Sequence, residues 1–223
     1  MTFAADLTAA ETYDRWFDRG WGKYAFGFET KALLKAAGPI EGLRALDAGS
    51  GTGRFTAELA RRGAFPVGVD RDVSMVTVAM QRLSCPLALA DAGALPFAGA
   101  SFDIAFAVTL CEFVDDVERV FAEMARVVRP GGRFVVGSLN PRSLWGFFKR
   151  ERFKHAPWTS ARFLTRRQLA QLGSRHGTTS LSAALYGPEH LPLAQVLGPA
   201  LELLGRPVAA AGAFQVLVVD LPA

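Results

Sequence analysis

Apolar positions in this chain fall into blocks whose spacing switches between a helical and a strand period. Residues 6–37 carry a helical pattern that includes Tyr13, Trp16, Phe17, Trp21 and Tyr24. Five short apolar runs follow, near 43–47, 65–70, 86–90, 102–108 and 132–139, each bounded by Gly, Pro, Asp or Ser and each predicting a buried strand. Helical patterns separate most of them. The best marked predicts a helix over 116–128, where Val117, Val120, Phe121, Met124, Val127 and Val128 form the buried stripe. Asp115 and Glu118 give it a capping-box-like start, and Arg129-Pro130-Gly131-Gly132 ends it. Strands alternating with helices imply right-handed crossovers and a parallel sheet, and residues 178–186 and 213–219 add two late strands.

Length and composition fit one domain. A chain of 223 residues with 50% hydrophobic and 21% charged content can bury one substantial core, and nothing in it suggests a second independent unit. No basic region followed by an apolar run opens the chain, and no stretch of 18 apolar residues occurs, which predicts neither export nor a membrane span. Cys85 and Cys111 lack metal-ligand spacing, and His155, His176 and His190 form no zinc motif. The expectation is a reduced, cytoplasmic protein without a metal site.

The chemistry concentrates after the first strand. Residues 45–53 read Ala-Leu-Asp-Ala-Gly-Ser-Gly-Thr-Gly, an apolar strand running into an acid and then three alternating glycines. Three glycines in five residues make one tight turn that lets a ligand approach the backbone. A helix starts at once, with Phe55, Leu59 and Ala60 on one face, Arg54, Glu58, Arg61 and Arg62 polar, and Gly63 placed to stop it. A P-loop would need Gly-Lys-Ser/Thr here, whereas Arg54-Phe55 follows Gly53. The dinucleotide fingerprint G-x-G-x-x-G is also unmatched, because Thr56 stands where its last glycine belongs. Asp47, two residues before the first glycine, would repel a pyrophosphate but suits an ammonium or a sulfonium. Asp70 ends the second strand 17 residues after Gly53, where an α/β nucleotide site places the carboxylate that takes both ribose hydroxyls, and Asp91 follows the third. A row of carboxylates along the strands' carboxyl edge predicts a cationic ligand.

Leu46 to Phe55, Gly68-Val69-Asp70, Asp91 to Phe97, Ser101-Phe102-Asp103 and Arg129 to Arg133 resemble, in order and spacing, the motifs of class I S-adenosylmethionine-dependent methyltransferases, and in particular the small bacterial type 11 group. The resemblance reaches Tyr13-Asp14-Arg15-Trp16-Phe17, Leu110 to Val114 and Ala161 to Thr165, and so covers nearly the whole chain. It implies a Rossmann-like α/β fold: a mostly parallel seven-stranded sheet, helices on both faces, and a last strand inserted antiparallel between strands five and six. It implies S-adenosylmethionine as cofactor and S-adenosylhomocysteine as product. Asp47 and the turn of Gly49, Ser50, Gly51 and Gly53 would hold the methionine end, and Asp70 the ribose. Arg71 would lie against the adenine with Met75 nearby, Asp91 and the Ala92 N–H would address its edge, and Thr109 and Leu110 would offer backbone to the amino-acid portion. Met75 also fits a core position, and Arg71 a solvated turn.

Residues 140–167 carry a local charge of +7, leaving −3 for the rest of the chain, and interleave it with six aromatics including Trp145. That composition suits a cover facing an anionic or amphipathic acceptor, or a segment resting on a membrane surface; the plainer reading is a helix with its aromatics on the sheet and its charges in water. Nucleic acid is disfavoured, since Thr109-Leu110-Cys111-Glu112 at the exit of strand four is neither the Asn/Asp-Pro-Pro-aromatic run of amino-methylating DNA enzymes nor the Pro-Cys of cytosine methylases. Glu112 is the candidate general base, with an acid near the start of a helix as the plainer reading. Tyr13, Trp16 and Tyr24 are candidates to close over the methyl donor. The sequence thus predicts a methyltransferase acting on a small molecule. Its rivals are a non-catalytic S-adenosylmethionine-binding module and, more distantly, a nicotinamide dehydrogenase.

Overall fold

The computed structural model describes residues 7–143, 160–186 and 211–223. Seven strands form one sheet in the order β3-β2-β1-β4-β5-β7-β6. They are β1 (Arg44–Ala48), β2 (Phe65–Asp70), β3 (Leu87–Leu89), β4 (Phe102–Val108), β5 (Val128–Leu139), β6 (Thr178–Ala184) and β7 (Phe214–Asp220). β1 pairs in parallel with both β2 and β4, so the strand order reverses between them, the place where open α/β sheets bind ligands. β7 runs antiparallel to β5 and to β6, as the resemblance implied.

Helices cover both faces, and strand side chains alternate between the two layers they create. On one side Leu46, Ala105, Ala107, Phe134, Val136, Leu217 and Val219 pack with Val120, Phe121 and Met124 of α5 (Val117–Val127) and Leu169 of α6 (Arg166–Gly173). On the other, Ala45, Ile104, Phe106, Val135, Phe214, Val216 and Val218 meet Leu33 and Leu34 of α2 (Gly20–Ala37) and Phe55 and Leu59 of α3 (Arg54–Arg61). Burial on both faces explains why the central strands read as continuous apolar runs. α4 (Val73–Arg82) follows β2, its N-terminus capped by the Asp72 carboxylate, which accepts from the N–H groups of Ser74 and Met75.

Three expectations change. The helix predicted over 6–37 is two helices, α1 (Leu7–Trp16) and α2, with a turn between them in which Phe17 N–H donates to Asp14 O and Asp18 N–H to Arg15 O. Glycines permit the sharp reversal: Gly20 has φ +56°, and a side chain at Gly22 would run into the Trp16 backbone. The cap of α5 is Asp116, not Asp115, its carboxylate accepting from Arg119 N–H at 3.0 Å. β5 begins at Val128 rather than 132, because Val128 already pairs with Phe102 and the Pro-Gly-Gly run passes through as an irregularity in register, with Gly131 at φ +69°.

Candidate functional site

The site is built where β1, β2 and β4 end. Gly49, Gly51 and Gly53 all have positive φ, at +74°, +53° and +77°, so the alternating glycines answer a backbone requirement. The turn is stitched to its neighbour strand: Gly49 and Ser50 N–H both donate to Val69 O, and Gly51 N–H donates to Asp70 Oδ2 at 2.8 Å. Asp70 Oδ1 accepts from Asp72 N–H at 2.9 Å. Leu110, at the exit of β4, lies over Gly49 so closely that a Cβ there would sit 2.7 Å from Leu110 Cδ1. Thr109 beside it takes φ +49°, an unusual conformation for a β-branched residue and one that tends to mark functional sites.

Four carboxylates gather at this edge. Asp47 is 1% exposed and accepts from Thr56 Oγ1 at 2.6 Å. Burial pushes its pKa up to about 7, with the charge of Asp70 adding to the effect and the Thr56 hydrogen bond opposing it. Asp70 is raised by burial too, against hydrogen bonds from the Asp72 and Gly51 amides. Glu112, 1% exposed, accepts from Leu139 N–H at 2.6 Å through Oε1, and burial pushes it up to about 7. Glu29 on α2 reaches about 7 through burial and the charge of Glu112. Among the described residues no arginine, lysine or histidine forms an ion pair with any of the four.

Helix α1 is tied across the turn by one residue. The Asp14 carboxylate accepts from Thr52 Oγ1 at 2.7 Å, from Arg54 Nε and Nη2 at 2.8 and 2.9 Å, and from Arg82 Nη2 at 2.8 Å. Burial opposes ionisation of Asp14, but these bonds outweigh it and hold the acid well below the usual carboxylate range. Asp18 adds a second carboxylate to Arg54 at 2.7 Å. Next to Asp14, Tyr13 leaves 40% of its surface exposed, yet its phenol proton is held on by desolvation and by the charges of Glu29, Asp70 and Asp14. Asp14→Asn keeps the shape and removes the charge; we expect it to cost about 1 kcal/mol, since the pairs are only partly buried. Thermal unfolding would show a drop of roughly 2–4 °C for a chain this size, and an unchanged midpoint would mean that α1 is held by its apolar face alone.

The remaining predicted residues are placed as follows. Arg71 is exposed and its Nη2 donates to Phe113 O at 3.3 Å, bridging the ends of β2 and β4. Met75 is half-buried on the first turn of α4. Asp91 is exposed, with Oδ1 accepting from Gly93 N–H at 2.7 Å, and Ala92 beside it is buried. Ser50 is buried and its Oγ has no hydrogen-bond partner among the described residues. Trp16 packs edge-on against Phe17 and stays 43% exposed, whereas Tyr24 stacks on Trp21 and meets Phe28. Trp145 and most of the basic segment over 140–167 lie outside the described residues. Asp14 and Glu29 escaped the sequence reading as site residues.

Residues 46–136, which span the turn and all four carboxylates of the edge except Glu29, match a methyltransferase domain family, the type 11 group. Over these residues the chain is similar to the class I S-adenosylmethionine-dependent methyltransferases. A solved structure from Thermotoga maritima, described as an S-adenosylmethionine-dependent methyltransferase and "possible histamine N-methyltransferase", superposes with a TM-score of 0.78 at 25% identity, covering 96% of each chain. The demethylmenaquinone methyltransferase of Mycobacterium sp. (strain KMS) is 44% identical over 120 residues, 53% of this chain and 48% of its own length. The biotin biosynthesis bifunctional protein BioHC of Cellvibrio japonicus (strain Ueda107) is 34% identical over 138 residues, 56% of this chain and 28% of its own. The chain thus spans about half or less of these two curated relatives. S-adenosylmethionine is the cofactor of this family, and the edge fits it: buried carboxylates without a cationic partner suit a ligand bearing a sulfonium and an ammonium.

Proposed function

We propose that the protein transfers a methyl group from S-adenosylmethionine to a small acceptor molecule. The observation that carries this is the Asp70 carboxylate: each of its oxygens takes one backbone amide and keeps capacity for one more donor, the arrangement a ribose diol needs. Asp47 and the Gly49–Gly53 turn are the binding surface for the methionine end, with the backbone of Thr109 and Leu110 closing it. Arg71, Met75, Asp91 and Ala92 line the adenine end. The cofactor brings an already activated methyl group, so the chain's task is to align the acceptor with it and to keep water out. Glu112, buried at the strand-four exit, is positioned to accept a proton from the acceptor. The basic and aromatic composition of 140–167 supports an acceptor with an anionic or amphipathic part. Among the described residues no helix is long and apolar enough to cross a membrane.

Ligand-dependent thermal unfolding tests this reading. S-adenosylhomocysteine at 100 times its dissociation constant should stabilise the protein by about 2.7 kcal/mol, and NAD or NADP should not, because Asp47 repels a pyrophosphate. Protection by NAD alone would transfer the reading to a dehydrogenase. Protection by S-adenosylhomocysteine without turnover of any acceptor would favour a binding module.

A further inference from the structure

Glu29 and Glu112 come from segments far apart in sequence and approach the same end of β5. Helix α2 runs antiparallel to β5 on its face: Ala37 O accepts from Nη1 of Arg133, midway along the strand, and Leu33 Cδ2 lies 3.0 Å from where a Cβ on Gly137 would be. Glu29, one turn before Leu33, therefore falls at the carboxyl end of β5. There Leu139 N–H holds Oε1 of Glu112 at 2.6 Å. Oε2 of Glu112 is fully buried and has no hydrogen-bond partner among the described residues. The charge of Glu112 adds to the rise in the Glu29 pKa, and the charges of Glu29 and Asp70 add to that of Tyr13. Asp47 and Asp70 lie at the same edge of the sheet, and Cys111, neutral and buried, precedes Glu112 in the chain.

Glu112, buried, and Glu29, half-buried, have no cation beside them among the described residues, and a shared proton or a positive ligand would relieve their repulsion. A neutral hydroxyl acceptor would satisfy one of them and leave the other unpaired. An anionic group would add a further negative charge. A protonated amine carries three donors on one positive atom and answers both carboxylates at once.

Resting on the methyltransferase reading, we propose that Glu29 and Glu112 form the acceptor subsite, and that it takes the protonated amine of a small molecule which is then methylated on nitrogen. The ammonium passes one proton to the Glu112 carboxylate, which frees the nitrogen lone pair. That pair forms the new N–C bond as the S–C bond of the sulfonium breaks, and sulfur keeps the electrons of the broken bond. Glu29 stays ionised and holds the product cation. The anionic or amphipathic character read from 140–167 then describes the distal part of the acceptor, and the amine its reacting end.

Calorimetry on the protein saturated with S-adenosylhomocysteine separates the alternatives. The probes are 2-phenylethylamine and 1,4-diaminobutane, with 3-phenylpropionate as the carboxylate counterpart of the first, each at up to 10 mM. At least one amine should bind, with proton release at pH 7, and 3-phenylpropionate should not. Glu29→Gln and Glu112→Gln should each weaken the amine at least tenfold while S-adenosylhomocysteine affinity stays within threefold. Glutamine copies the protonated acid in shape, and both variants should melt no lower than the parent at pH 8, which controls for folding. The amine site is overturned if neither amine binds, if the carboxylate binds as well as its amine, or if Glu29→Gln leaves amine affinity unchanged. Failure of the parent to bind S-adenosylhomocysteine would instead remove the methyltransferase reading beneath it.

Discussion

Replacing Asp70 by alanine is expected to weaken S-adenosylhomocysteine binding by about 1.5–3 kcal/mol, roughly 10- to 150-fold, the range for hydrogen bonds to a charged group. The loss has two sources. One is the pair of donors that the carboxylate would take from the ribose. The other is the shape of the turn, since Asp70 Oδ2 accepts from Gly51 N–H at 2.8 Å and so holds the middle of the glycine run in place. Asp70→Asn separates them. The amide oxygen can keep one backbone bond, but the NH2 group must then face a backbone N–H, so the asparagine variant should lose nearly as much affinity as the alanine one. The rest of the fold should survive, because Asp70 lies at the end of its strand and outside both apolar layers. Calorimetry on a folded variant that still binds S-adenosylhomocysteine at parental affinity would sink the ribose assignment.

The parts of this site that were legible in the sequence are those fixed by local constraints. Three glycines in alternation need positive φ wherever they occur, and a strand that ends on Asp70 delivers that carboxylate to the sheet edge whatever packs behind it. The mostly parallel sheet was legible through the alternation of elements, and the antiparallel last strand between strands five and six through the resemblance. The break in the first helix was not, because the apolar period runs unbroken through 17–19 and the interruption is tertiary: Asp14 is claimed by Thr52, Arg54 and Arg82, residues 38 to 68 positions away. Gly20 and Gly22, two apart in an otherwise helical pattern, were the available signal. Glu29 was hidden for a similar reason. It reads as one more polar position on an amphipathic helix, and only the register of α2 on β5 carries it to the carboxyl end of the sheet, beside Glu112. The start of β5 was misplaced because Pro-Gly-Gly is a breaker by composition, whereas pairing of Val128 with Phe102 outside the irregularity extends the strand through it.

A site made of buried acids also has a stability signature that differs from that of ordinary surface carboxylates. Asp47, Glu29 and Glu112 are each pushed up to about 7 in the folded protein, above the 3.8 and 4.5 that aspartate and glutamate show when unperturbed. Between about pH 4.5 and 7 the folded chain therefore holds protons that the unfolded chain has released. Stability falls with rising pH wherever the folded state binds more protons, so the ligand-free protein should be more stable at pH 5 than at pH 8. One such group titrating over two pH units contributes about 2–3 kcal/mol, or roughly 5–10 °C in melting temperature. Asp14, held below the usual range, and Asp103, held at about 2 mainly by its hydrogen bonds from Arg44, act in the opposite direction, but only below about pH 4. A cation in the site reverses the slope, because it favours the ionised acids. S-adenosylmethionine, with its sulfonium, should bind more tightly at pH 8 than at pH 6 and gain more over that interval than the uncharged sulfur of S-adenosylhomocysteine does. Asp47→Asn should flatten part of the pH dependence of the ligand-free protein. A melting temperature constant from pH 5 to 8, or S-adenosylmethionine binding that weakens as pH rises, would show that these carboxylates are hydrated and ionised in the folded chain, and that the row of acids attracts its ligand only as a surface does.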